Sequence, residues 1–282
     1  MRYTWLPAVV ATMALAGCAP ADEAAAPETS GGGDSCAKDS LQTLTAGTLT
    51  FGTDQPAYPP WFIDDNPASG EGFESAVAYA VADKLGFGTD EVTWVRVPFN
   101  AAIAPGVKTF DANLSEFSIT EERKQAVDFS SPYYDVTQAV VTVASSPAAQ
   151  AENLEALKGL RLGAQVGTTS YTAAEALAPT QPVSVYNNNE DAKAALTSGQ
   201  IDAVVLDLPT AFAVQAELDG GVILGQLPGA TENPEQFGIV LDKGSPLTSC
   251  VSTAVDELRS DGTLAELQQT WLDKAGNAPV LK

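Results

Sequence analysis

From residue 47 onward, short runs rich in β-branched residues alternate with stretches of helical period, and that alternation limits the chain to an α/β fold. Strands are expected at 49–53, 92–97, 138–143, 160–164, 183–186, 201–206 and 237–241. Between the first two, Phe73, Val77, Ala80, Val81 and Leu85 recur at helical spacing, and Gly86 follows as a stop signal. Further helices are expected over 191–198, 209–218, 246–260 and 263–274, with Pro209 and Pro246 where a first helical turn tolerates proline. The stretches 136–147 and 227–235 are extended or turn-rich and interrupt this pattern. Two such crossings imply a chain that leaves one lobe, builds a second and returns. The expected lobes are 36–137 with 235–282, and 138–234. Hinge strands would run near Val136 to Val143 and Pro228 to Phe237.

The charge balance excludes several functions. Fourteen Lys and Arg against 36 Asp and Glu leave a formal net charge of −22. So negative a surface repels phosphate backbones and anionic headgroups, so neither nucleic acid nor an electrostatically held membrane surface is an expected partner. The chain has no His. That removes the commonest general base and the commonest zinc ligand, and most hydrolase readings fall with them; no cofactor or metal is expected.

The N-terminus is read as an address. Arg2 precedes an apolar run from Leu6 to Leu15, too short to span a bilayer, and Leu15-Ala-Gly-Cys18 closes it. This layout resembles a bacterial lipoprotein signal peptide, which implies removal of residues 1–17 and lipidation of Cys18. An ordinary signal peptide with an incidental Cys is the alternative. Residues 18–35, rich in Ala, Pro and Gly, read as a flexible tether. The globular part would then hang from a lipid anchor on the outer face of a membrane or in the periplasm. In that oxidising compartment Cys36 and Cys250 are expected to form a disulfide joining the two ends of the domain, worth roughly 4–5 kcal/mol in the chain-entropy model. Two separately buried thiols are the other option.

The longest motif runs from Phe110 to Tyr134. Its Ser118-Ile-Thr, Arg123-Lys and Asp128-Phe-Ser-Ser-Pro-Tyr-Tyr134 resemble the pattern of the polar amino-acid receptors of ABC importers. In the same order stand Gly52-Thr-Asp-Gln-Pro-Ala-Tyr-Pro-Pro-Trp-Phe62, Gly72-Phe-Glu74, Gln165-Val-Gly-Thr-Thr-Ser170 and Ser198-Gly-Gln-Ile-Asp-Ala-Val-Val-Leu-Asp207. The resemblance covers about Leu44 to Leu272. It implies a two-lobed periplasmic-binding-protein fold with two hinge strands, each lobe a mixed sheet flanked by helices. It also implies a monomeric, extracytoplasmic receptor, not an enzyme, that closes on a polar amino acid and delivers it to permease subunits.

A free amino acid carries a carboxylate and an ammonium on one carbon, so its site needs a cationic fork, amide donors and an anion close together. The resemblance gives the α-carboxylate to Arg123, whose planar fork suits it, and to the turn of Thr168 and Thr169 at a helix start. It gives the α-ammonium to Asp207. Alternatives remain: Arg123 as a surface residue paired with Glu121 or Glu122, Thr168 as a plain helix cap, Asp207 as an N-cap. Ser118 and the chain around Ser115 and Glu116 would complete the first-lobe contacts, with Tyr58, Trp61 and Phe99 as aromatic walls. By the resemblance Asp54 holds a position that can face the ligand side chain, and Glu116 stands where relatives often have a small or neutral residue. They argue against an acidic ligand and for a basic or neutral polar one, unless Glu116 faces away. A small dehydratase on the same fold, with Glu116 as acid or base, and a sensor for a signalling partner are the rival functions.

Overall fold

The computed structural model describes residues 36–229, 234–272 and 278–282. The expected signal peptide over 1–17, the expected lipidation site Cys18 and the expected tether over 18–35 lie outside the described residues. The chain runs through β1 (Leu49–Thr53), α1 (Phe73–Lys84), β2 (Val92–Arg96), α2 (Phe99–Ala102), β3 (Ala112–Asn113), β4 (Val127–Phe129) and β5 (Tyr134–Val136). There follow β6 (Gln138–Val143), α3 (Leu154–Leu157), β7 (Leu162–Gln165), α4 (Thr169–Ala176), β8 (Ser184–Tyr186), α5 (Asn189–Thr197), β9 (Ala203–Asp207), α6 (Leu208–Glu217) and β10 (Gly221–Gln226). It returns through β11 (Glu235–Phe237) to β12 (Val240–Asp242), α7 (Thr248–Ser260) and α8 (Thr263–Trp271). No helix among the described residues is long and apolar enough to cross a membrane.

Two mixed five-stranded sheets result, in the orders β2-β1-β3-β12-β4 and β10-β6-β9-β7-β8. Parallel pairs such as β1 with β2 and β7 with β9 need helical crossovers, which is why helices follow so many of the strands. In the first sheet α1 buries Phe73, Val77, Val81 and Ala82 against Leu49 and Phe51. Gly86, at φ +82°, turns the chain out of that helix as few other residues can. In the second sheet the two-residue strand period is visible in β6: Ala139 and Val141 join one cluster with Leu196 and Leu206, and Val140 joins the other with Leu162 and Val205. Both faces of this sheet are therefore covered.

β5 and β11 form a separate antiparallel ribbon, with Tyr134 opposite Phe237. β5 leads from the first sheet to the second and β11 leads back. The expected hinge over 136–143 is corrected here: 138–143 is a central strand paired on both sides, with β9 and β10, so on the outward path the crossing is β5 and not β6. The expected strand at 237–241 likewise divides, because after Phe237 the chain exchanges β5 for partners β3 and β4. The C-terminal residues also depart from expectation. Residues 278–282, placed with the first lobe in the sequence reading, lie on the second sheet. The Gln226 and Leu281 N–H groups donate to Pro279 O and Gln226 O, and Leu281 packs among Val140 and Val205. Five residues carry no period, so backbone pairing with Gln226 and the apolar contact of Leu281 decided their place. Cys36 and Cys250 form a disulfide with Cα atoms 5.3 Å apart, tying the start of the described chain to α7.

Candidate functional site

The cleft has about 590 Å³ of empty space, its open mouth included, and is lined from both sheets. Its floor on one side is Arg123. The Arg123 N–H donates to Thr120 Oγ1 at the start of a short turn, and the side chain points inward with 8% of its surface exposed. Nη1 donates to Ser118 O at 2.7 Å and Nη2 to Gly167 O at 3.0 Å, while the guanidinium lies over the Phe99 ring at 5.4 Å. Phe99 is itself stacked on Phe117. The surface pairing with Glu121 is thereby excluded, since Lys124 takes that acid. Burial pulls the guanidinium pKa down, and Asp207 and Glu235 pull it back. It stays charged, as arginine does in proteins.

Beside it α4 begins. Thr168 caps the helix by accepting from the Tyr171 N–H, so the capping role is real and coexists with a place in the cleft wall. Gly167, at φ +76°, lets this turn approach: a Cβ there would stand 2.3 Å from Asn100 Oδ1. Guanidinium and helix N-terminus together make a pole for an anion.

Opposite stands Asp207, the last residue of β9. It occupies the N-cap position of α6 yet makes no side-chain cap bond. Its Oδ1 instead accepts from Gln138 Nε2 at 2.7 Å, from the residue facing it across the β6–β9 ladder. Burial, and then the nearby Glu235 carboxylate, push its pKa up to about 8.

The far wall is acidic. Glu116, at φ +57°, gives its N–H to Glu74 Oε1 at 2.7 Å, and its own Oε2 accepts from Thr210 Oγ1 at 2.7 Å. Thr210 is the acceptor for Trp61 Nε1, also at 2.7 Å. Glu74 is fully buried, receives the Tyr133 hydroxyl, and keeps a buried Oε2 with no protein hydrogen bond. Burial lifts its pKa to about 7 and lifts that of Glu116 well above the carboxylate range, with Asp207 and Glu74 adding to the latter. Asp54 is raised as well, chiefly by burial. Arg96 does not neutralise it directly, because that guanidinium serves the Asp54 carbonyl and the Asp65 carboxylate.

Of the residues singled out in the sequence, Asp54, Tyr58, Phe99, Ser115, Glu116, Arg123, Thr168, Thr169 and Asp207 line the cleft. Two do not. Trp61 is fully buried among Phe73, Tyr134 and Phe237 and touches the site only through Thr210. Ser118 is 1% exposed, and its hydroxyl is spent on Glu235 Oε1 at 2.6 Å with Thr169 Oγ1 at 3.1 Å. Gln165, Ser170 and Asn189 line the cleft without having been singled out. The first two flank the Gly-Thr-Thr turn and were legible from it; Asn189 carries no local signal.

Residues 49–274 match the family of bacterial extracellular solute-binding proteins, family 3. The chain is 31% identical over 237 residues to the L-arginine-binding protein of Pseudomonas aeruginosa, covering 79% of this chain and 90% of that one. It is 32% identical over 231 residues to a probable histidine-binding protein of Campylobacter jejuni, covering 79% and 84%. The solved structure of an ancestral arginine-binding protein bound to glutamine superposes with a TM-score of 0.67 at 33% identity, covering 80% of this chain and 98% of that one.

Proposed function

The chain belongs to family 3 of the bacterial extracellular solute-binding proteins, and from that premise we propose that it captures an L-amino acid with a cationic side chain for an ABC importer. The observation that carries this reading is the balance of ionisable groups in the cleft: among the described residues, Arg123 is its one basic lining residue, against the acids Asp54, Glu116 and Asp207. An α-carboxylate on Arg123 and the α4 N-terminus, with the α-ammonium on Asp207, leaves Asp54 and Glu116 to face the ligand side chain. A buried carboxylate without a counter-charge is costly, and a guanidinium or ammonium would meet it. Relatives named for arginine and histidine point the same way. A neighbour bound to glutamine makes a neutral polar ligand the second choice.

In this reading the ligand docks first on the first sheet through Arg123 and Asp54. The second sheet then closes with Thr168, Thr169 and Asp207, and β5 and β11 absorb the rotation. The lobes are 36–137 with 235–272, and 138–229 with 278–282. Residues 1–17 are removed as a signal peptide, Cys18 carries the lipid, 18–35 is the tether, and the monomer meets the permease subunits in its closed form. A dehydratase would use Glu116 as general acid instead; recovery of the ligand chemically unchanged after incubation separates the two.

Glu116→Gln tests the assignment. A hydrogen-bonded charge contact is worth about 1.5–3 kcal/mol, so affinity for L-arginine should fall roughly ten- to a hundredfold while affinity for L-glutamine stays within about threefold. Calorimetric titration with each common amino acid reads both. Tighter binding of L-glutamate than of L-arginine by the unaltered protein would sink the cationic reading.

A further inference from the structure

Glu235 lies outside the cleft lining, yet it holds three parts of the site together. It begins β11, the strand that returns from the second sheet to the first. Its Oε1 accepts from Ser118 Oγ at 2.6 Å, and Ser118 in turn supports Arg123 through its carbonyl. Both of its oxygens accept from Gln138 Nε2, at 3.2 and 3.1 Å, the nitrogen that donates to Asp207 Oδ1 at 2.7 Å. The Gln138 carbonyl oxygen accepts from Ser170 Oγ at 2.7 Å, so the amide orientation is held from its other side. A primary amide has two hydrogens, and two carboxylates consume both.

That geometry sets like charges against each other around one neutral donor, in a place where burial already disfavours charge. The charged groups acting on Asp207 are Glu235 from β11, Glu74 from α1 and Arg123 from the turn after Thr120; the Gln138 hydrogen bond and Arg123 stabilise its anion, while burial and the two carboxylates oppose it. Asp207 in turn acts on Glu116 and Tyr133. We propose that Glu235 is a positioning residue for ligand capture: sharing the Gln138 amide with Asp207, it keeps a proton on Asp207 until an ammonium group arrives, so that binding expels that proton and ties the ammonium pole to the crossing strand. The inference rests on the reading of Asp207 as ammonium acceptor. The ligand keeps its three N–H bonds, the Asp207 O–H bond breaks, and the proton goes to solvent.

The sign follows from linkage. Asp207 is neutral in the ligand-free protein below about pH 8 and ionised in the complex, so association strengthens as pH rises toward 8 and flattens above it. Without the Glu235 charge Asp207 ionises earlier and the slope shrinks.

The test is calorimetric titration of the full chain with L-arginine at pH 7, in buffers of different ionisation enthalpy, which counts protons released per ligand. The unaltered protein should release protons, and its association constant should rise at least about tenfold between pH 6 and 8. Glu235→Gln, which keeps the shape and removes the charge, should release no more than about a fifth of a proton per ligand, with a rise of under about threefold. Protons released equally by both proteins, with saturable binding in both, would overturn the role of Glu235. Should the variant not fold, zero protons released by the unaltered protein at pH 7 overturns it equally. Absence of any saturable heat with the common amino acids marks instead a failure of the amino-acid reading itself.

Discussion

Replacing Arg123 by alanine is expected to lower affinity for the amino acid by a hundred- to ten-thousandfold. The guanidinium would offer the α-carboxylate two charge-assisted hydrogen bonds at about 1.5–3 kcal/mol each, and alanine removes both. The same side chain also holds Ser118 O and Gly167 O and stacks on Phe99, so some loss of stability will accompany the loss of binding. Arg123→Lys separates the two effects. It retains the charge but presents a point rather than a fork, and should recover part of the affinity but not all of it. Titration calorimetry read beside the thermal midpoint of the ligand-free variants is the measurement. Near-normal affinity in a folded Arg123→Ala protein would place the anion pole elsewhere.

Removing the Cys36–Cys250 bond should destabilise the protein by about 5 kcal/mol on the chain-entropy account, because the bond closes a loop with a sequence separation of 214. For a domain of this size roughly 2–4 °C per kcal/mol puts the fall in thermal midpoint at about 10–20 °C. Neither cysteine lines the cleft, so ligand affinity measured well below the new midpoint should be unchanged. The reduced native chain is the control for the double Cys36→Ser, Cys250→Ser variant, since Cys250 is buried and a hydroxyl there carries its own cost. A midpoint shift of under about 3 °C in both would mean that the unfolded chain is already constrained, or that strain offsets the entropy.

The regular elements were legible where local chemistry repeats. The β1 span came out as 49–53, and α1 came out to within one residue of its apolar stripe and glycine stop. β10 was missed, because Gly221 and Gly225 break its apolar run and the latter sits at a register shift against β6. The two-residue β3 has too little length to show a period. In the cleft wall, Arg123, Thr168, Thr169 and Asp207 were found because they sit inside or at the ends of long motifs. Trp61 was misplaced because an aromatic beside a motif reads the same whether it faces a ligand or a core.

The order of residues by itself determined the α/β class, the two crossings of the chain, the acidic surface and the residues from which a pair of opposite charges can be built. These follow from period, turn chemistry and composition, all of which act between near neighbours. Only the tertiary structure decided that Glu116 meets Thr210, that Glu74 lies behind it, and that Glu235 shares one amide with Asp207. Those partners are separated by up to about a hundred residues, in segments with no common pattern. What a carboxylate does depends on its burial and on the charge beside it, and both are set by which surfaces the fold brings together.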